Sequence, residues 1–129
     1  MNRFGHVDLR VPDLAAATPF YDALATALGY PVPYHGNGWR GYGSPDALPE
    51  GSYLAVTEEA GHQPNSNRIA FWCATNAEVD RVAGLLVDAT AVEGPGAEHY
   101  GPTPYYAVYF ADPCGNRFEA YCRQMPPQP

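Results

Sequence analysis

The feature that most constrains the fold is a pattern that runs twice. Residues 5–11, GHVDLRV, alternate, with Val7, Leu9 and Val11 on one face and His6, Asp8 and Arg10 on the other. Pro12-Asp13 breaks this strand and supplies an N-cap. Leu14, Ala17, Tyr21, Leu24 and Leu28 then recur at helical spacing until Gly29 ends the run. Residues 67–74, NRIAFWCA, alternate in the same way, setting Ile69, Phe71 and Cys73 against Arg68, Ala70 and Trp72. Residues 76–89, NAEVDRVAGLLVDA, give a second amphipathic helix, capped by Thr75 or Asn76. His6 and Arg68 thus occupy matching places, 62 residues apart, as an internal duplication requires.

The rest of the chain fits around these two openings. Short strands are expected near 30–35, 38–43 and 52–57, with the loop SPDALPEG between the last two and a polar linker over 58–66. After the second helix a short strand near 91–94 leads into GPGAEHYGPTP, read as a loop over the mouth of a cleft. Two long strands, 104–111 and 117–123, close the chain, joined by DPCGN. Asp-Pro sets up that turn, and Gly115-Asn116 accept the positive φ angles it needs. The tail beyond residue 125 reads as disordered. The order is β-α-β-β-β twice, which makes the class α+β. One domain over 1–125 is expected, made of modules at about 4–58 and 66–123.

Composition excludes several roles. The chain has 129 residues, 46% hydrophobic and 13% aromatic, enough for one core. No apolar run approaches the roughly 20 residues that span a bilayer, and no leader pattern opens the chain, so a cytoplasmic protein is expected. Net charge is −7, with seven Arg and no Lys, and no basic stripe suits nucleic acid. The acidity keeps a protein soluble or attracts a cationic ligand. Three cysteines, at 73, 114 and 122, show neither zinc spacing nor a disulfide framework.

The last strand raises the functional question. Its alternation puts Glu119 mid-strand on a face shared with Arg117 and Tyr121. On the preceding strand either Tyr105 and Tyr109 or else Tyr106 face the same way. Four stretches carry a likeness at this point: GHVDLRVPDL with FYDALATALGY, RIAFWCATNAEVDRV, YGPTPYYAVYFADPCGNRFEAYCR, and the paired βαβββ order. Over about residues 4–123 the chain resembles the vicinal oxygen chelate superfamily, which includes glyoxalase I, extradiol dioxygenases and bleomycin-resistance proteins. The resemblance implies a cupped, mixed, eight-stranded sheet whose cleft holds a small molecule, often in a homodimer. In metal-dependent members a divalent ion sits at the cleft base.

Carried over residue by residue, that pattern offers His6 and Glu119 as metal ligands. It departs from the family at Arg68, where a His is usual, and at SYLAV, where glyoxalase I has a Glu. Arginine only donates and cannot ligate, and its charge repels a cation, so a metal is disfavoured. His6 is then a ligand, a general acid–base, or a cleft residue held by a carboxylate. Glu119 is a ligand or the partner of Arg68, whose fixed charge would stand where the cation would be. Asp8, Trp39, Trp72, Tyr100, Tyr105, Tyr109 and Tyr121 are the expected ligand-contacting residues, with Tyr42 near the rim. His35, His62 and His99 are placed in loops. Two activities compete: a glyoxalase- or dioxygenase-like enzyme on a small oxygenated or aromatic metabolite, and a metal-free protein that sequesters a drug or metabolite.

Overall fold

The computed structural model describes residues 4–30, 33–43 and 52–124, with Tyr100 by its backbone only. The elements are β1 (His6–Val11), α1 (Leu14–Ala27), β2 (Pro33–Gly36), β3 (Trp39–Gly43), β4 (Tyr53–Glu58), β5 (Arg68–Trp72), α2 (Asn76–Leu85), β6 (Thr90–Tyr100), β7 (Thr103–Ala111) and β8 (Arg117–Arg123). The chain divides between Gln63 and Pro64, inside the polar stretch read as a linker. Each module forms its own four-stranded mixed sheet, ordered β1-β4-β3-β2 and β5-β8-β7-β6. In each, the opening strand pairs in parallel with the last, and the others are antiparallel. The class is α+β and the duplicated βαβββ order is present. The loop SPDALPEG and the tail beyond Gln124 lie outside the described residues, where those two expectations stand untouched. No helix among the described residues is long and apolar enough to cross a membrane.

In the first module α1 starts where Asp13 accepts a hydrogen bond from the Ala16 amide at 3.1 Å, an N-cap that satisfies an otherwise orphaned donor. Phe20, Tyr21 and Leu24 on its inner face are buried with Val11 and Val56. Each such side chain contributes about 1.5–3 kcal/mol of burial. Asp22 ties the helix to β3. It accepts from Arg40 Nε at 2.8 Å, Arg40 Nη2 at 2.9 Å and the Tyr42 hydroxyl at 2.6 Å. Burial alone would raise the Asp22 pKa, but the bonds from Arg40 and Tyr42 and the Arg40 charge outweigh it and hold it below the usual carboxylate range. Tyr42, expected near a cleft rim, is therefore a buried core residue on the helix side.

In the second module α2 packs its buried Val79 and Val82 against β7 and β8. Thr75 caps it by accepting from the Glu78 amide at 3.2 Å. The helix ends at Leu85, short of residue 89, because Leu86 turns extended and Asp88 takes a positive φ of 57°. Below it, the Phe118 ring lies between Phe71 and Phe110, at centroid distances of 6.0 and 5.8 Å.

The GPGAEHYGPTP stretch departs most from expectation. It is strand rather than loop up to Tyr100, paired along β7 with register shifts on either side of Glu93. The φ of 50° at Ala91 marks the irregular start. Its glycines and Pro95 read as loop in sequence because a bulged strand uses the same residues. His99 consequently lies in β6, and His35 lies in β2.

The DPCGN turn is held by one buried carboxylate. Asp112 Oδ1 accepts from the amides of Cys114, Gly115 and Asn116 at 3.0, 2.8 and 2.8 Å, and Oδ2 accepts from Asn116 Nδ2 at 2.9 Å. Gly115 adopts a φ of 106°, which glycine alone takes without strain. The Cys114 thiol donates to Asp112 Oδ1 at 3.2 Å. Burial, then that carboxylate, pushes the thiol up to about 11. Only thiolate reacts, so Cys114 in the folded protein is expected to alkylate with iodoacetamide at pH 8 about 100-fold more slowly than in urea. Peptide mapping by mass spectrometry checks this, and comparable rates in the two states would refute it.

Candidate functional site

Each sheet carries its helix on one face and leaves the other free of helix. On the first module, register places His6 beside Tyr53, Asp8 beside Ala55 and Arg10 beside Thr57 on this second face. The His6 ring stacks on Tyr53 at 4.7 Å with planes 8° apart. Asp8 pairs with Arg10 at 3.0 Å and accepts from the Thr57 hydroxyl at 3.0 Å, so these two charges are spent on each other. Trp39 lies flat across Gly36 and Gly41, where a side chain at Gly36 would collide with the indole at 2.2 Å. This face is an aromatic platform with one compensated ion pair.

The second module's helix-free face holds Arg68, Trp72, Tyr105, Tyr109, Glu119 and Tyr121. Across β5, β8 and β7 the rungs read Arg68–Arg117–Ala111, Ala70–Glu119–Tyr109 and Trp72–Tyr121–Ala107, and Arg123 then pairs with Tyr105. This settles the tyrosine alternation. Tyr105 and Tyr109 share the face of Glu119, while the Tyr106 hydroxyl, on the helix side, donates to Asp80 at 2.6 Å.

Glu119 is 9% exposed and accepts from the Tyr105 hydroxyl at 2.5 Å. Tyr105 reaches it by leaning across Tyr121, ring on ring, at 5.2 Å and 5°. Burial raises the Tyr105 pKa, and the hydrogen bond to Glu119 raises it further, so the phenol stays a donor. Glu119 Oε2 is thereby occupied, while Oε1 has no hydrogen-bond partner among the described residues and is not sealed from solvent. Tyr105, Tyr109, Glu119 and Arg123 line a cavity of about 360 Å³, within the range of small-molecule sites.

Arg68 does not fork onto Glu119 as the sequence suggests. Its guanidinium lies over the Tyr109 ring, 4.9 Å from the centroid, a cation–π contact of roughly 0.5–2 kcal/mol. The rung order explains the difference. Ala70, not Arg68, is the register neighbour of Glu119, and Arg68 crosses β8 toward β7 instead. Trp72 is 65% exposed, on the face with Tyr121. The side chain of Tyr100 lies outside the described residues.

On the helix-free face of the second module the donor chemistry does not fit a divalent ion. Among the described residues no three His, Cys, Asp or Glu side chains gather as a ligand set. On β5 and β8, Glu119 is the sole carboxylate of this face and Tyr105 already holds it, with the Arg68 cation on the neighbouring tyrosine. The first module lacks its counterpart. The rung that pairs Ala70 with Glu119 pairs Asp8 with Ala55 there, and Asp8 is spent on Arg10.

Sequence reasoning placed Arg117 on the face of Glu119 but named neither it nor Arg123 as a site residue. Arg117 and Arg123 share this face, and the alternation around Glu119 carried that signal.

The comparisons with known proteins agree on the fold. A family model described as the Glyoxalase/Bleomycin resistance protein/Dioxygenase superfamily matches residues 3–120. No curated protein matches. A solved glyoxalase/bleomycin resistance protein from Albidiferax ferrireducens T118 is 27% identical with a TM-score of 0.79, over 95% of this chain and 100% of that one. A glyoxalase/bleomycin resistance protein/dioxygenase family enzyme from Burkholderia phytofirmans PsJN is 16% identical with a TM-score of 0.69, over 92% and 96% of the two chains. A glyoxalase/dioxygenase from Nostoc punctiforme is 20% identical with a TM-score of 0.65, over 96% and 92%. At those identities the last two attest the fold alone. With its model covering most of the sequence, the chain belongs to the Glyoxalase/Bleomycin resistance protein/Dioxygenase superfamily.

Proposed function

We propose that the helix-free face of the second module binds a small oxygenated or aromatic molecule without a divalent ion. The observation that carries this reading is the state of Glu119. Tyr105 occupies one carboxylate oxygen, Arg68 sits on the adjacent Tyr109, and the other oxygen is open beside a cavity. A carboxylate so held is an acceptor for a ligand hydroxyl. Arg68 supplies the fixed positive charge for a ligand oxygen, and Tyr105, Tyr109 and Tyr121 supply ring faces. The ligand class, a homodimeric assembly and a cytoplasmic location belong to this reading through the family resemblance. His6, Asp8 and Trp39, on the helix-free face of the first module, are proposed separately as ligand-contacting residues of that module.

A second reading makes the same face catalytic, as in a glyoxalase-like lyase or isomerase, or a dioxygenase. The open oxygen of Glu119 favours it, because a poorly solvated carboxylate beside a bound carbon acid is placed to take a proton. Arg68 then stabilises the oxyanion that forms.

Calorimetric titration of chelator-treated, tag-free protein with zinc, nickel, manganese and iron(II) tests the metal-free reading. No binding tighter than about 0.1 mM is expected, and Glu119→Ala is expected to leave the traces unchanged. One ion per chain, lost in Glu119→Ala, would overturn the reading.

A further inference from the structure

The arginines of the second module are unusual in an acidic chain. Arg68 and Arg117 are register partners on adjacent strands and share a face. Like charges at neighbouring rungs repel. Arg123 lies on the same face of β8 and lines the cavity. None of the three forms an ion pair among the described residues. Acids are near enough in sequence to have served. Glu93 and Glu98 on β6 face the same way by register with Tyr109 and Tyr105. Yet neither pairs with an arginine, and Glu98 instead lines a second cavity, of about 300 Å³, with His99, Tyr106 and Asn76. The chain carries 14 acidic residues against seven arginines, so three guanidiniums on one face with no acidic partner among the described residues do not follow from composition.

We infer that the cavity takes a small planar aromatic acid. This rests on the metal-free reading above and names its ligand. The ring of such an acid fits against Tyr105 and Tyr109, the two aromatic walls of the cavity. Its carboxylate meets Arg123 at the cavity wall, a guanidinium that forks onto carboxylate oxygens with paired hydrogen bonds, and Arg68 over Tyr109 adds a second positive charge on the same face. A ring hydroxyl donates to the open Oε1 of Glu119. A cationic ligand in this cavity would meet Arg123 in its wall as well as Glu119.

The test uses 4-hydroxybenzoate, 4-hydroxybenzamide and 4-hydroxybenzylamine, which share a ring and hydroxyl and differ in charge. Binding is measured by tyrosine and tryptophan fluorescence and by calorimetry, in chelator and then with added zinc or iron(II). The acid is expected to bind at least 10-fold more tightly than the amide, and the amine more weakly still. Arg68→Gln and Arg123→Gln should each cost the acid about 10-fold and leave the amide unchanged, while Arg81→Gln, on α2, changes neither. An amide or amine that binds as tightly as the acid in chelator would overturn the ligand class and leave the metal-free reading standing. Binding that requires added metal would overturn both. Failure of all three probes under every condition would likewise overturn the aromatic-acid assignment.

Discussion

Replacing Phe118 by Ala is expected to destabilise the protein by about 4 kcal/mol, near the top of what single substitutions do. The ring is fully buried and stacked on both sides, against Phe71 from β5 and Phe110 from β7. Removing it takes away the burial of one side chain and opens a void bounded by two rigid rings, which cannot collapse into it as an aliphatic side chain would. Phe118→Leu, which fills most of the volume, is expected to cost about a third as much. Urea unfolding followed by circular dichroism separates the two. The midpoint should fall in that order at constant slope. A loss below about 1.5 kcal/mol for Phe118→Ala would mean that the module's core is looser than these contacts imply.

Asp112→Ala is expected to cost about 3 kcal/mol. No surface of this carboxylate reaches solvent, and its removal leaves three backbone amides and the Asn116 side chain without their acceptor. A buried donor left unsatisfied costs roughly 1–3 kcal/mol, and water entering the turn recovers part of that. The melting temperature should drop by about 10 °C for a chain of this size. Asp112→Asn keeps one acceptor but turns an amide N–H₂ toward donors, and should recover less than half of the loss. The consequence reaches the site, since β8 begins at this turn and carries Glu119 two residues after Arg117. The aromatic-acid affinity should fall together with the stability.

What could be read in the sequence was whatever repeats or alternates. The two strand–helix openings, both N-caps and the closing hairpin follow from period and turn chemistry, and the structure has them at the expected positions within a few residues. The face shared by Glu119, Tyr121 and Arg117 followed from alternation alone. Two things did not. The stretch from Gly94 to Tyr100 has loop composition because bulges draw on glycine and proline, and only its pairing along β7 distinguishes it from a loop. The partner of Arg68 could not be read either. Two charges of opposite sign in one module look like a pair, yet register sets Ala70 beside Glu119 and leaves Arg68 to Tyr109. Tyr42 failed for a related reason. Tyrosine suits both a cavity wall and a core, and the deciding feature is Asp22, in the second half of α1 and twenty residues away in sequence.

The irregularity of β6 also bears on how the protein behaves when crowded. β6 is the outermost strand of its sheet and runs for 11 residues. A straight strand of that length would present a long row of free amides and carbonyls, a template onto which a foreign chain can add. Here the row is broken. Pro95 has no N–H to offer, and the register shifts on either side of Glu93 interrupt the spacing that an incoming strand must match. The glycine- and proline-rich stretch thus guards the border of the sheet, and making it more regular would trade a tidier strand for a stickier protein.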